Sequence, residues 1–207
     1  MTAVYLEMGS RRVFACALDW PGWCRSGKDE ERALEALAAY APRYAVVAEE
    51  AGVHFPKRTA ADVEVVERVV GNATTDFGAP AVIVASDHEA PKPAERRRLA
   101  ALVEASWALF DRVAAGAPAS LRKGPRGGGR DRDAVVQHVD DADGAYARSM
   151  GIKLSKPTRD ELRAGLLDAL RTGYEVPEKK WPPRYAARRI AWHALDHAWE
   201  IEDRSPP

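Results

Sequence analysis

The sharpest chemical feature of the chain is a pair of histidines four residues apart, in Trp192-His193-Ala194-Leu195-Asp196-His197. Side chains four apart on a helix point the same way, so the two imidazoles would face one point in space. Paired imidazoles suit a divalent metal, but two donors do not make a site, and a lone H-x-x-x-H is common on helices that bind nothing. A third donor must come from another element. His138 lies among Val135, Val139 and Ala142 at helical spacing, which sets it near an inward face; a core histidine is the ordinary account of such a residue. Three of the five histidines therefore fall where packed helices could converge them. Three neutral imidazoles leave a coordination position open, the pattern of a catalytic rather than a structural metal. Such donors take zinc, nickel, iron or copper alike; zinc or nickel heads the expectation, with iron behind them.

Glu200 lies one turn beyond His197. It could orient a ligand imidazole or act as a base, which makes it the candidate catalytic residue, although an exposed helix-end acid has the same spacing. Asp196 reads equally as a ligand's support or a solvated acid. Trp192 and Trp199 read as core or interface rings. A second feature is the run Arg122-Lys123-Gly124-Pro125-Arg126-Gly127-Gly128-Gly129-Arg130-Asp131-Arg132. Glycines let backbone N–H groups approach an anion, and the run enters a helix N-terminus that Asp131 or Asp133 can cap. It lacks the G-K-[ST] of a P-loop. Arg126 and Arg130 are the candidate substrate-binding residues, as a clamp for a carboxylate; a solvated loop would look the same. Cys16 and Cys24 are spaced more widely than a C-x-x-C redox pair; Cys16 reads as a small core residue and Cys24 as exposed. His54 and His88 read as surface residues.

The elements that must position these groups fall into two halves. Ala3 to Met8 and Arg12 to Leu18 read as strands around a Gly9-Ser10 turn, ended by Pro21-Gly22. Lys28 to Ala48 reads as a helix that kinks or restarts at Pro42. Asp62 to Val70 is β-branched and reads as a strand, and Ala81 to Val84 as a short strand before a proline-rich linker. Four helical patterns follow: Ala94 to Gly116, Arg130 to Met150, Thr158 to Thr172 and Pro183 to Asp203. Thr158 with Glu161 forms a capping box, and Gly173 stands as the C-cap. The expected fold is an α+β domain over 1–90, a small antiparallel sheet with a helix, followed over 91–207 by an all-α up-down four-helix bundle.

Composition narrows the function classes. The chain has 207 residues, 46% hydrophobic and 30% charged, enough to bury a core. Its 31 basic and 31 acidic side chains cancel, so no global field draws it to nucleic acid or an anionic membrane. No run approaches a membrane span, the N-terminus lacks the pattern of a signal peptide, and two cysteines are too few for a disulfide scaffold; a cytoplasmic protein is expected. The abundance of Ala and Arg fits a bacterial, GC-rich source.

The stretches Val135-Val136-Gln137-His138-Val139 with Ala145-Tyr146, and Ala191 to Glu200, resemble the DinB superfamily of four-helix metal-binding proteins. The resemblance covers about Glu95 to Pro207. It implies one histidine on the second helix and an H-x-x-x-H pair on the last, and so maps the ligands onto His138, His193 and His197. It also implies a metal-dependent transferase, hydrolase or lyase acting on a small molecule, in some members with a low-molecular-weight thiol; it does not supply a reaction. A weaker resemblance, from Phe14 to Cys24 and through Glu30 to Leu37, is to HicB-like antitoxin domains. It implies a small sheet on a helix, used here as an accessory unit that forms a homodimer or closes over the bundle mouth. The competing expectation is a non-enzymatic, partner-binding protein with a structural or vestigial metal site.

Overall fold

The computed structural model describes residues 1–55, 62–124 and 128–206. Four strands come first in the fold: β1 (Thr2–Met8), β2 (Val13–Ala17), β3 (Cys24–Gly27) and, after helices α1 (Glu30–Ala39) and α2 (Ala41–Glu50), β4 (Val63–Val70). A short helix α3 (Ala73–Phe77) and a 3-10 turn (Ala85–His88) lead to four long helices: α4 (Pro93–Gly116), α5 (Arg132–Met150), α6 (Arg159–Thr172) and α7 (Pro183–Arg204). The α+β class expected from the sequence is therefore what forms.

The sheet order is β3-β2-β1-β4, and it is mixed, not antiparallel. Hairpin neighbours β1–β2 and β2–β3 are antiparallel, but β4 runs parallel to β1. The reason is the connection. A tight turn can only reverse a strand, whereas α1 and α2 return the chain to the other end of the sheet before β4 begins. The break between those helices falls at Tyr40, and Pro42 sits in the first turn of α2, where its missing N–H costs nothing. Residues 81–84 are not a strand. The N–H groups of Ala81 and Val82 instead donate to the carboxylate of Glu7, at 2.9 and 3.0 Å, and the Thr75 hydroxyl donates to the same fully buried group. β3 was not anticipated, because Cys24-Arg25-Ser26-Gly27 carries no apolar alternation. Cys24 is buried in it, correcting the expectation of an exposed residue, and faces Cys16 across the β2–β3 ladder, to which it is disulfide-bonded.

Both faces of the sheet are covered. Val4, Leu6, Val13 and Ala15 pack on Leu37, Tyr44 and Val47 of α1 and α2. There Trp23 donates its indole N–H to the Leu37 carbonyl, and the Tyr44 hydroxyl donates to Pro21. The opposite face, with Tyr5, Phe14 and Cys16, receives Trp192 of α7. The four long helices share a second core: Val103 and Phe110 of α4, Val135 and Val139 of α5, Leu166 and Leu170 of α6, Ile190 and Ala194 of α7. Helix α4 packs against α6 and α7, and α5 packs against the same two. The capping box of Thr158 and Glu161 and the positive φ of Gly173 are both present at the ends of α6.

One buried ion pair ties the 3-10 turn to α7. Arg188 makes two hydrogen bonds to Asp87, at 2.6 and 2.7 Å, with Asp87 fully buried. Removing one partner strands a charge in a dry site. Asp87→Ala is expected to lower unfolding free energy by about 3–5 kcal/mol, whereas replacing both partners by apolar residues of similar volume (Asp87→Leu with Arg188→Met) costs less. Equilibrium urea denaturation of the three chains checks the order.

Candidate metal centre

The two candidate ligands of the last helix sit mid-way along α7, where that helix is covered on nearly every side. Ile190, Ala191, Ala194 and Ala198 face the helical core, and Leu195 and Trp199 face the core under α1 and α2. The small alanines bring α5 close. His138 projects from α5 on the same side as Val135 and Val139, and meets His193 and His197. His193 is buried, and His138 and His197 are half-buried.

The three rings form a near-equilateral triangle, with centroids 4.9, 5.0 and 4.7 Å apart. One donor atom from each lies within 4.8 Å of the other two. His138 Nε2 and His193 Nε2 are 3.2 Å apart. Two imidazole nitrogens on one tetrahedral ion, each about 2.05 Å from it, stand about 3.3 Å from one another, so this pair already has the spacing of co-ligands. The protonation states fit as well. Burial, with the positive field of His197 and Arg189 added, pushes the His193 pKa down to about 2. Burial and His197 also lower His138. Neutral rings keep the lone pairs that a metal needs. The donor set and its spacing therefore fit a divalent ion.

The third ring is held from behind. His197 Nδ1 lies 2.8 Å from Glu200 Oε2, which leaves Nε2 free toward the triangle. The bond from His197 is the largest cause of the lowered Glu200 pKa. The other Glu200 oxygen accepts from Arg204 Nη1 at 2.5 Å, and Arg204 also donates to the carbonyls of Arg122 and Arg130, at 2.8 and 2.7 Å. Both carboxylate oxygens are engaged, the arrangement of a positioning residue more than of a free base. Asp196 turns away and accepts from Arg25 of β3 at 2.8 Å. Tyr146 meets His193 edge-on, centroids 5.7 Å apart.

The glycine-rich run is built differently from a phosphate cradle. Asp131 stands at the N-cap of α5, but its carboxylate accepts from Leu121 N–H and Lys123 Nζ, not from the helix. Gly129, at φ +118°, lies so close to Arg204 that an added Cβ would fall 2.7 Å from Nη2. Arg130 is exposed, and its charge is felt by both His138 and His193. Arg126 lies outside the described residues. Sequence reasoning passed over Arg189 and Arg204. Their signal was periodic: Arg189, His193, His197, Glu200 and Arg204 follow one another at three or four residues, a single stripe along α7.

Compared with models of protein families, with curated proteins and with solved structures, the chain finds no match.

The sign of the His193 shift fixes a pH dependence. Its folded pKa lies below the unfolded value, so the unfolded chain binds more protons between about pH 2 and 6.5, and this residue's contribution to stability is lost as pH falls through that window. In the metal-free chain the His193 ring resonances are expected to stay flat from pH 8 to 5 in an NMR titration. An inflection within that range would contradict the buried, neutral ring.

Proposed function

We propose that this chain is a DinB-like, metal-dependent enzyme in which α4 to α7 act as an up-down four-helix bundle. His138, His193 and His197 would hold one divalent ion, zinc or nickel ahead of iron. The observation that carries the reading is the convergence of three imidazoles from two helices, two of them at co-ligand spacing. The 3.2 Å approach of His138 Nε2 and His193 Nε2 is also that of an imidazole–imidazole hydrogen bond, so it is the third ring, His197, that makes the cluster a donor set.

When bound, the ion would supply Lewis-acid polarisation of a small-molecule group at the position the three rings leave open. The chain's own residues do the rest. Glu200 keeps the proton of His197 on Nδ1 and fixes the ring's tilt, and Arg204 holds Glu200 in place. Tyr146 and Trp192 wall the buried side of His193. The N-terminal unit, HicB-like in its sequence, serves as an accessory domain, tied to the ligand helix through Arg25 and Asp196. The reaction is group transfer involving a low-molecular-weight thiol, as the family resemblance implies, or hydrolysis or elimination on a small molecule. A cytoplasmic setting suits such chemistry; no helix among the described residues is long and apolar enough to cross a membrane.

Elemental analysis tests the first step. Protein purified without chelator is expected to carry about one equivalent of zinc or nickel, and His193→Ala and His138→Ala to lose it. Glu200→Ala should bind the ion about 10- to 100-fold more weakly, since it frees the ring that the carboxylate orients. Metal-free protein whose melting temperature ignores added zinc and nickel overturns the reading. With the ion present, turnover of model electrophiles only when a small thiol is added separates transfer from hydrolysis.

A further inference from the structure

Three carboxylates and two guanidiniums meet where α4, α5 and α6 come together: Asp111 of α4, Asp140 and Asp143 of α5, and Arg159 and Arg163 of α6. With every group ionised, the cluster carries one negative charge more than it has cations to match. That surplus is not spread evenly. Arg159 donates to Asp111 and Asp140, at 2.6 and 2.7 Å, and Arg163 gives its short bond, 2.8 Å, to Asp111. Asp143 receives only the Nε–H of Arg163, at 3.4 Å. Yet its side chain is 2% exposed, against 24% for Asp140 and 40% for Asp111. The carboxylate furthest from water therefore has the longest bond to a cation.

A charge so placed is hard to keep. Leaving water disfavours the ionised form of a carboxyl group, and a like charge nearby adds to the effect. The surroundings of Asp143 do not undo this. On α5, Asp140 is the like charge, one turn back. From α6, Arg163 and Arg159 favour ionisation, but both have shorter bonds elsewhere. From α4, Arg163 meets the uncharged ring of Trp107, 4.9 Å from guanidinium carbon to centroid. Toward α7, Arg189 lies over the ring of Tyr146, which itself feels the charge of Asp143. Burial outweighs the two cations and holds the Asp143 pKa at about 7. One proton on Asp143 leaves two carboxylates for two guanidiniums.

We infer that this cluster is a proton-operated clamp on the helical core: in mild acid Asp143 holds a proton, the remaining charges match and α4, α5 and α6 grip one another most tightly, whereas in mild alkali Asp143 gives the proton up and one surplus charge is left buried between α5 and α6. The clamp stands apart from the three-histidine reading, and its sense is opposite to that of His193. The folded pKa of Asp143 lies above the unfolded value, so the folded chain binds more protons between about pH 4 and 7. The contribution of this residue to stability is present in acid and is lost as pH rises through that window.

The test uses the full chain, treated with chelator, and the proton as the probe. The side-chain carboxyl carbon of Asp143, assigned through the backbone, is followed by NMR across the neutral range, and its midpoint is expected near pH 7. Asp140→Asn should lower that midpoint, because it removes the like charge and frees Arg159 and Arg163 to turn to Asp143. Urea denaturation reads the clamp itself. Asp143→Asn mimics the protonated side chain at every pH. Relative to it, the unfolding constant of the natural chain should rise on the order of 100-fold from about pH 5 to about pH 8. Glu64→Gln, an exposed acid of β4 outside the cluster, should leave both readings unchanged. An Asp143 carboxyl with its midpoint below about pH 6, or a pH dependence of stability that Asp143→Asn shares in full, overturns the inference.

Discussion

Helix α7 has to satisfy two cores at once, and the rest of the structure is arranged around that demand. Its Trp192 seats against the sheet, its Leu195 and Trp199 against the core under α1 and α2, and its Ile190, Ala194 and Ala198 against the other long helices. A helix buried all round has little room for polar side chains, so each one on it must be matched by a partner or have a use. Arg188 and Asp87 show the first outcome. The histidine pair meets His138 from the neighbouring helix. The candidate site therefore lies on a helix packed on both flanks, where a side chain's rotamer is set by its neighbours.

The four long helices distribute charge on the same principle. Arg159 and Arg163 of α6 reach Asp111 of α4 and Asp140 of α5, and Arg163 also approaches Asp143, which lies deep in the helical interior. Burial outweighs that cation and pushes the Asp143 pKa up to about 7. The network ties α4, α5 and α6 to each other, while the histidines lie between α5 and α7.

How much of this could be read from the sequence differed by element. The long helices were legible because apolar residues recur at helical spacing for four or five turns and because Thr158, Glu161 and Gly173 mark the ends of α6. The histidine pair was legible for the same reason. His138 was legible only as a candidate, since spacing along α5 cannot say which helix it faces. The parallel strand was not legible, because strand direction is decided by the length and path of α1 and α2 and leaves no mark in Val63 to Val70. Residues 81–84 misled, because an apolar run looks the same whether its N–H groups meet a neighbouring strand or the buried carboxylate of Glu7. Cys24 misled because four residues are too few to show alternation. The role of Glu200 turned on something no spacing holds: that both of its oxygens are taken.

Arg204 joins two parts of the molecule that look unrelated. Each of its three guanidinium nitrogens has one acceptor: the Glu200 carboxylate and the carbonyls of Arg122 and Arg130. A guanidinium is flat, so one rigid plane serves both the loop's ends and the carboxylate that meets the His197 ring. The ends of the loop and the imidazole are thereby moored to one side chain, three hydrogen bonds apart.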